Sequence, residues 1–174
     1  MCANTNYKCI FCNKDILQKN LKEHIEKVCF FTIKKNIIEE IYIGQKRNDL
    51  KEGYGILYYP DGEKYEREWK NGLFDGYGIF YYDYTGNRYE GEWKNGLREG
   101  YGIYYLANGN RYEGEWKNNL REGYGILYWA NGKRYEGEWK NHLTEGYEIL
   151  YWPNGERYEA ECKNGLIEGY GIYY

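Results

Sequence analysis

Residues 89–111, YEGEWKNGLREGYGIYYLANGNR, decide the fold, because the same 23-residue pattern recurs with small changes from Tyr42 to Tyr174. YIGQKRNDLKEGYG begins at Tyr42, YEREWKNGLFDGYG at Tyr65, YEGEWKNNLREGYG at Tyr112, YEGEWKNHLTEGYE at Tyr135 and YEAECKNGLIEGYG at Tyr158. The step from Tyr65 to Tyr89 carries one extra residue, within DYTGN; every other step is 23 residues. A period of this length marks an array of units that cannot bury an apolar face alone and gain a continuous core by stacking.

Each unit reads as a β-hairpin when its residues are numbered from the first Tyr. Positions 1–6, YEGEWK, alternate in the manner of a strand with two unlike faces. Positions 7–12, NGLREG, are turn-rich, and positions 13–18, YGIYYL or YGILYW, form a second strand of β-branched and aromatic residues. Positions 19–21 are ANG, PDG or PNG, a turn with Gly free to take positive φ. Pro60 and Pro153 both fall there, where no ladder hydrogen bond is lost. Paired side by side, the hairpins predict a mostly β fold, an elongated single-layer antiparallel sheet. About twelve strands at about 4.8 Å each would span roughly 55 Å.

The two faces differ. One collects Tyr, Gly and Trp from the first strand, with large rings beside small residues at a fixed period. Tyr89, Trp93, Tyr112, Trp116, Trp129, Tyr135, Trp139 and Trp152 are expected to stack there as the packing core. The other face carries a Tyr-Ile-Tyr ladder flanked by Glu, Glu and Lys. Its central members are Tyr101, Ile103, Tyr105, Tyr124, Ile126 and Tyr128. A rimmed apolar stripe of this kind suits a partner surface. Cross-strand pairing beneath cationic stems is the competing account. Departures mark the array's irregular points. Lys46 and Cys162 replace Trp, Arg67 and Ala160 replace Gly, and Glu148 replaces Gly on the aromatic face, where it is expected to reach Arg157, Lys163 or a partner. The sequence stops within its sixth unit, so either the bare strand edge pairs with a second copy or the sequence is a piece of something longer; that edge and the Tyr/Ile face are the two candidate homodimer contacts.

The pattern resembles the MORN (membrane occupation and recognition nexus) repeat family, whose signature is close to YxGxWxNGxxxGxGxxxxxxG. The resemblance covers residues 42–64, 65–88, 89–111, 112–134, 135–157 and a truncated 158–174, about three quarters of the chain. It implies a non-catalytic adaptor at a membrane, a cilium or the cortical cytoskeleton, with protein partners first and anionic lipid, including phosphoinositides, as the alternative. The phosphatidylinositol phosphate kinase and methyltransferase domains that follow such repeats in some families are not in this sequence.

Composition shifts near residue 41. All 23 Gly lie at or after Gly44, and all six Trp lie in the repeats. Residues 1–41 are mildly basic and the repeats mildly acidic, within a net charge of −3. Cys9-Ile-Phe-Cys12, His24 and Cys29 have the spacing C-x2-C-x11-H-x4-C, which suits a structural tetrahedral Zn²⁺. Leu17–Val28 carries apolar residues at helical spacing and predicts a helix. The segment is similar to small C2HC zinc fingers, with Ile16 and Leu21 at the core positions. Residues 1–30 are therefore read as the finger, with Cys2 an alternative to one of the four ligands, and 31–41 as a linker capping the first repeat.

Other functions are disfavoured. A nucleic-acid surface calls for a basic stripe, whereas these repeats are acidic and Glu23 and Glu26 sit on the finger helix. No apolar run reaches the roughly 18 residues needed to cross a bilayer, and MCANTNYKC lacks a signal peptide's apolar centre. Cysteines without a secretion signal favour a reducing compartment, so a cytoplasmic location is expected, with membrane or cytoskeletal association. His142 is the only imidazole outside the metal set, and no catalytic constellation can be assembled.

Overall fold

The computed structural model describes residues 6–8, 15–17, 39–82 and 85–174, and the chain divides into two compact units, Met1–Ile41 and Tyr42–Tyr174. In the first, β1 (Asn6–Lys8) and β2 (Asp15–Leu17) pair antiparallel with Tyr7 opposite Ile16. Leu17 ends β2, so the helix expected from Leu17 cannot begin there. Cys9, Cys12, His24, Cys29 and the remainder of that helix lie outside the described residues.

The second unit is one open antiparallel sheet of twelve strands in chain order. Its strands are β3 (Ile41–Arg47), β4 (Leu50–Tyr58), β5 (Lys64–Lys70), β6 (Leu73–Tyr82), β7 (Asn87–Lys94) and β8 (Leu97–Tyr105). They continue as β9 (Arg111–Lys117), β10 (Leu120–Tyr128), β11 (Arg134–Lys140), β12 (Leu143–Tyr151), β13 (Arg157–Lys163) and β14 (Leu166–Tyr173). The extra residue of the second repeat falls within DYTGN, of which Asp83 and Tyr84 lie outside the described residues.

The stretch expected as a six-residue turn is shorter than its composition suggests. Only two residues turn, Asn118 (φ 48°) and Asn119 (φ 69°) in the fourth repeat, and β10 starts at Leu120. Two successive positive φ angles match the right-handed twist of the flanking strands, which is why Asn and Gly dominate here. Gly123 (φ 61°) then forms a bulge, so that Glu122, Gly123 and Tyr124 all face Glu115 before Gly125 rejoins Gly114. The Gly of the motif's GYG thus serves a bulge within the strand rather than a turn.

Packing follows from the second glycine of GYG. A Cβ on Gly125 would stand 2.3 Å from the Tyr112 hydroxyl, and one on Gly114 would stand 2.6 Å from the Gly125 Cα. Only glycine lets the Tyr112 ring lie across the strand pair. Tyr89, Trp93, Tyr112, Trp116, Tyr135 and Trp139 are all buried, while Trp129 and Trp152 are half-buried. The rings meet edge to face: Tyr112 is 5.3 Å from Trp116 and 5.3 Å from Trp139. Each Trp at position 5 binds back to the preceding repeat, Trp116 donating Nε1–H to the Gly102 carbonyl at 3.2 Å and Trp139 to Gly125 at 3.3 Å. Burial pushes the phenols of Tyr65, Tyr89, Tyr112 and Tyr135 far above their ordinary range.

Two departures have a physical account. Arg67 occupies a glycine position with φ 115°, and its exposed side chain sits 5.7 Å from the Tyr77 ring on the opposite face. Glu148 is only 7% exposed, and its carboxylate lies against the Tyr135 hydroxyl and the Cys162 thiol. It does not pair with Arg157, which binds Glu159 at 2.8 Å.

Candidate protein-binding face

The aromatic face covers itself. The side chain at position 10 of each of the first four repeats folds over rings on this face. Lys51 Nζ lies 4.9 Å from the Trp69 ring, Phe74 stacks on Tyr65 at 3.8 Å, and the Arg98 and Arg121 guanidinium carbons lie 4.4 Å and 4.1 Å from Trp116 and Trp139. Those arginines are held in turn by the following hairpin turn. Arg98 N–H and Nε–H donate to Asn119 Oδ1 at 2.8 and 3.3 Å, and Arg121 N–H and Nε–H donate to His142 Nδ1 at 3.1 and 3.3 Å. His142 is therefore a structural acceptor rather than a free imidazole. Burial, with Arg121 and Arg98 adding to it, lowers its pKa. The same burial lowers that of Arg121.

The opposite face is laid out in rows that cross the strands. At one side, the cation preceding each repeat after the first lies over the last Tyr of that repeat's ladder. Arg88 is 3.9 Å from the Tyr105 ring and bonds Glu90 at 2.7 Å; Arg111 is 3.8 Å from Tyr128 and bonds Glu113 at 2.5 Å. Tyr105 and Tyr128 are thereby half-covered by their own sheet. Ile103 and Ile126 come next, half-buried opposite Glu113 and Glu136.

Tyr101 and Tyr124 form the open row, 54% and 52% exposed on the bulge. Their amides donate to Glu92 Oε1 and Glu115 Oε1, each at 3.0 Å, so the position 4 acid is a cap for the bulge. Tyr54, Tyr77, Tyr147 and Tyr170 extend the row across the sheet, all exposed. The six residues read from sequence as one ladder therefore divide into two covered tyrosines, two half-buried isoleucines and two open tyrosines.

A further row was hidden in the stretch read as a turn. Leu50, Leu73, Leu97, Leu143 and Leu166 are exposed at the starts of their strands. Beside them stand exposed Lys70, Lys94, Lys117, Lys140 and Lys163, which form no ion pair among the described residues. The signal was available: Leu recurs at the same place in every repeat. In the first five repeats the acid two residues on from the Leu reaches the next turn, as Glu99 Oε2 accepts from Asn118 N–H at 2.9 Å and Glu122 Oε2 from Asn141 N–H at 3.0 Å.

Little else on the sheet suggests chemistry. Burial, then Glu148, pushes the Cys162 thiol up to about 11, which keeps it protonated and a poor nucleophile. Among the described residues no group of three or more His, Cys, Asp or Glu is placed to hold a metal ion, and no helix is long and apolar enough to cross a membrane.

The family model described as MORN repeat matches residues 42–64, 65–83, 89–111, 112–134, 135–157 and 158–174. Comparison with curated proteins gives no match. Among solved structures, the chain is similar to the TCP domain of Drosophila melanogaster SAS-4 in complex with a proline-rich motif of Ana2, at 18% identity and a TM-score of 0.47, covering 73% of this chain and 68% of that one. It is also similar to the TCP10c domain of D. melanogaster Sas-4, at 18% identity and a TM-score of 0.42, with 68% and 71% covered. The TCP10 domain of Danio rerio CPAP with a STIL peptide follows at 12% identity and a TM-score of 0.41, with 72% and 61% covered. At these scores the likeness carries no functional inference.

Proposed function

The chain belongs to the MORN repeat family, and on that footing we propose that it is a non-catalytic scaffold whose Tyr-bearing face receives protein partners. One observation carries the reading. Tyr101 and Tyr124 are more than half exposed in a row that crosses the sheet, while the aromatic face is closed by its own Lys51, Phe74, Arg98 and Arg121. Tyrosine offers a large amphipathic contact at low entropy cost, which suits a rigid docking surface. Proximity labelling in cells tests it. The intact chain and a Tyr101→Ser/Tyr124→Ser variant should collect different neighbours, and identical sets would remove this face from consideration.

A second reading, recruitment to anionic lipid, draws on the lysine row at the turns. Carboxylates such as Glu99 and Glu122 stand beside it and reduce its attraction. Flotation with phosphoinositide vesicles separates the two: salt-sensitive recruitment lost on changing Lys94, Lys117 and Lys140 to Gln would favour lipid. For the first unit the proposal is a structural Zn²⁺ held by Cys9, Cys12, His24 and Cys29. These residues have the thiolate and imidazole donor set zinc prefers, and the first cysteine pair falls between two paired strands, β1 and β2. One zinc per chain by elemental analysis, lost on Cys12→Ser, is the expected result.

A further inference from the structure

We propose that the open tyrosine row from Tyr54 to Tyr170 is a track for a proline-rich, cationic segment lying across the strands as a polyproline II helix. This rests on reading the Tyr face as the partner surface, and it names the partner's chemistry.

Spacing is the first argument. The row has one Tyr per hairpin, on every second strand. Two strand spacings of about 4.8 Å give a step of about 9.6 Å. A polyproline II helix rises 3.1 Å per residue with three residues per turn, so the same face recurs about every 9.3 Å. The mismatch of about 0.3 Å per step grows to about 1.5 Å over the whole row, within the slack of tyrosine rings. An α-helix repeats a face every heptad, about 10.5 Å, and drifts by about 4.5 Å over the same distance. An extended β-strand alternates faces, so its third residue points away from the sheet. Among regular conformations, polyproline II stays in step.

Chemistry is the second. Flat aromatic rings suit proline rings, and the hydroxyls of Tyr101 and Tyr124, unlike those of Tyr54 and Tyr147, which donate to Glu68 and Glu159, can donate to polyproline II carbonyls, which have no internal partner. Charge is the third. Glu92, Glu115 and Glu138 are exposed beside the row and form no ion pair among the described residues. Glu92 and Glu115 each give one oxygen to a bulge amide, leaving the other for a cation between the prolines. The arginines on one side, Arg88 and Arg111, are already committed to Glu90 and Glu113. Lys94 and Lys117 stand past the other side, at the turns. The track itself is therefore acidic, and an Arg-bearing partner fits it.

The test uses the full chain and fluorescence anisotropy with a labelled peptide of five Pro-Pro-Arg triplets. A peptide of five Gly-Ser-Arg triplets matches its length and charge but not its conformation. The proline peptide should bind at least about tenfold tighter, and Tyr101→Ser/Tyr124→Ser should weaken it by at least about tenfold. Tyr101→Phe/Tyr124→Phe, which keeps the rings, should retain most of the binding. Unchanged thermal melting of the variants separates lost docking from lost folding. Equal binding of the two peptides, or no loss in the Ser variant, overturns the proposal. If the proline peptide fails while the Ser variant still loses its cellular neighbours, the face remains the partner surface and only the polyproline assignment falls. If the neighbours are unchanged as well, both readings fall.

Discussion

The junction between residues 112–134 and 135–157 follows the repeat, and the next junction breaks it at four places, yet both are closed. In the first, Arg121 covers Trp139, Trp139 bonds the Gly125 carbonyl, and Gly125 leaves room for the Tyr112 ring. In the second, Thr144, Cys162, Glu148 and Ala160 stand where Arg, Trp and two Gly stood. Tyr135 is nonetheless buried almost as fully as Tyr112, at 5% against 2% exposed. The comparison teaches that each junction needs a matched set of volumes and not a fixed residue at each place. The Glu148 carboxylate enters where a Trp and an Arg have been withdrawn, beside Tyr135 and Cys162, while the Tyr135 hydroxyl donates to the Glu138 carbonyl at 3.2 Å.

Moving one member of the set without the others should break the first junction. Gly125→Glu places a carboxylate against Tyr112 with Trp139 and Arg121 still in place. The overpacking and the buried charge together should cost about 5 kcal/mol in urea denaturation. The reverse change, Glu148→Gly, relieves a buried carboxylate while opening a small void, so its net effect should stay within about 1 kcal/mol. Equal and opposite effects would mean that the two junctions are not differently packed.

Removing the ring sharpens the contrast. Trp139→Ala deletes the contacts with Tyr112 and Tyr135 and the bond to Gly125. It should cost about 3–4 kcal/mol by the same measurement, whereas Cys162→Ala should cost about 1 kcal/mol. Arg121→Ala should likewise cost about 1 kcal/mol, for the lost stacking of its guanidinium on Trp139. Thr144→Arg should gain nothing in return, because Cys162 offers no ring to cover.

The period, the strand pairs and the two faces were legible, because alternation along YEGEWK and the fixed place of Gly125 leave few alternatives. What was not legible lay in NGLREG. Gly123 looks like a turn residue but serves a bulge, so Leu120 and Arg121 were hidden within a supposed loop. The Tyr ladder was visible, whereas its division was not. Whether Tyr105 is covered and Tyr101 open depends on where Arg88 leans and where the bulge lifts the chain, and both are set by register between strands.

His142 provides the finest test of the comparison, because it distinguishes the first junction from its own neighbour as well. Asn119 and His142 occupy the same place in successive repeats and accept the same two N–H groups, from Arg98 and Arg121. Only the imidazole titrates. Its pKa is lowered in the fold by burial first, then by Arg121 and Arg98, and Trp116 packs 6.3 Å away without adding charge. Below the ordinary histidine value near 6.5, the unfolded chain takes up a proton that the folded chain resists. The stability this site contributes is therefore complete above about pH 6.5 and declines as pH falls toward the lowered folded value. His142→Asn keeps the acceptor and removes the proton site. Urea melts between pH 7.5 and 5 should show the native chain losing more stability than the Asn variant, the smallest effect of the series. Parallel pH profiles would mean that Arg121 is held at this turn without the help of the imidazole acceptor.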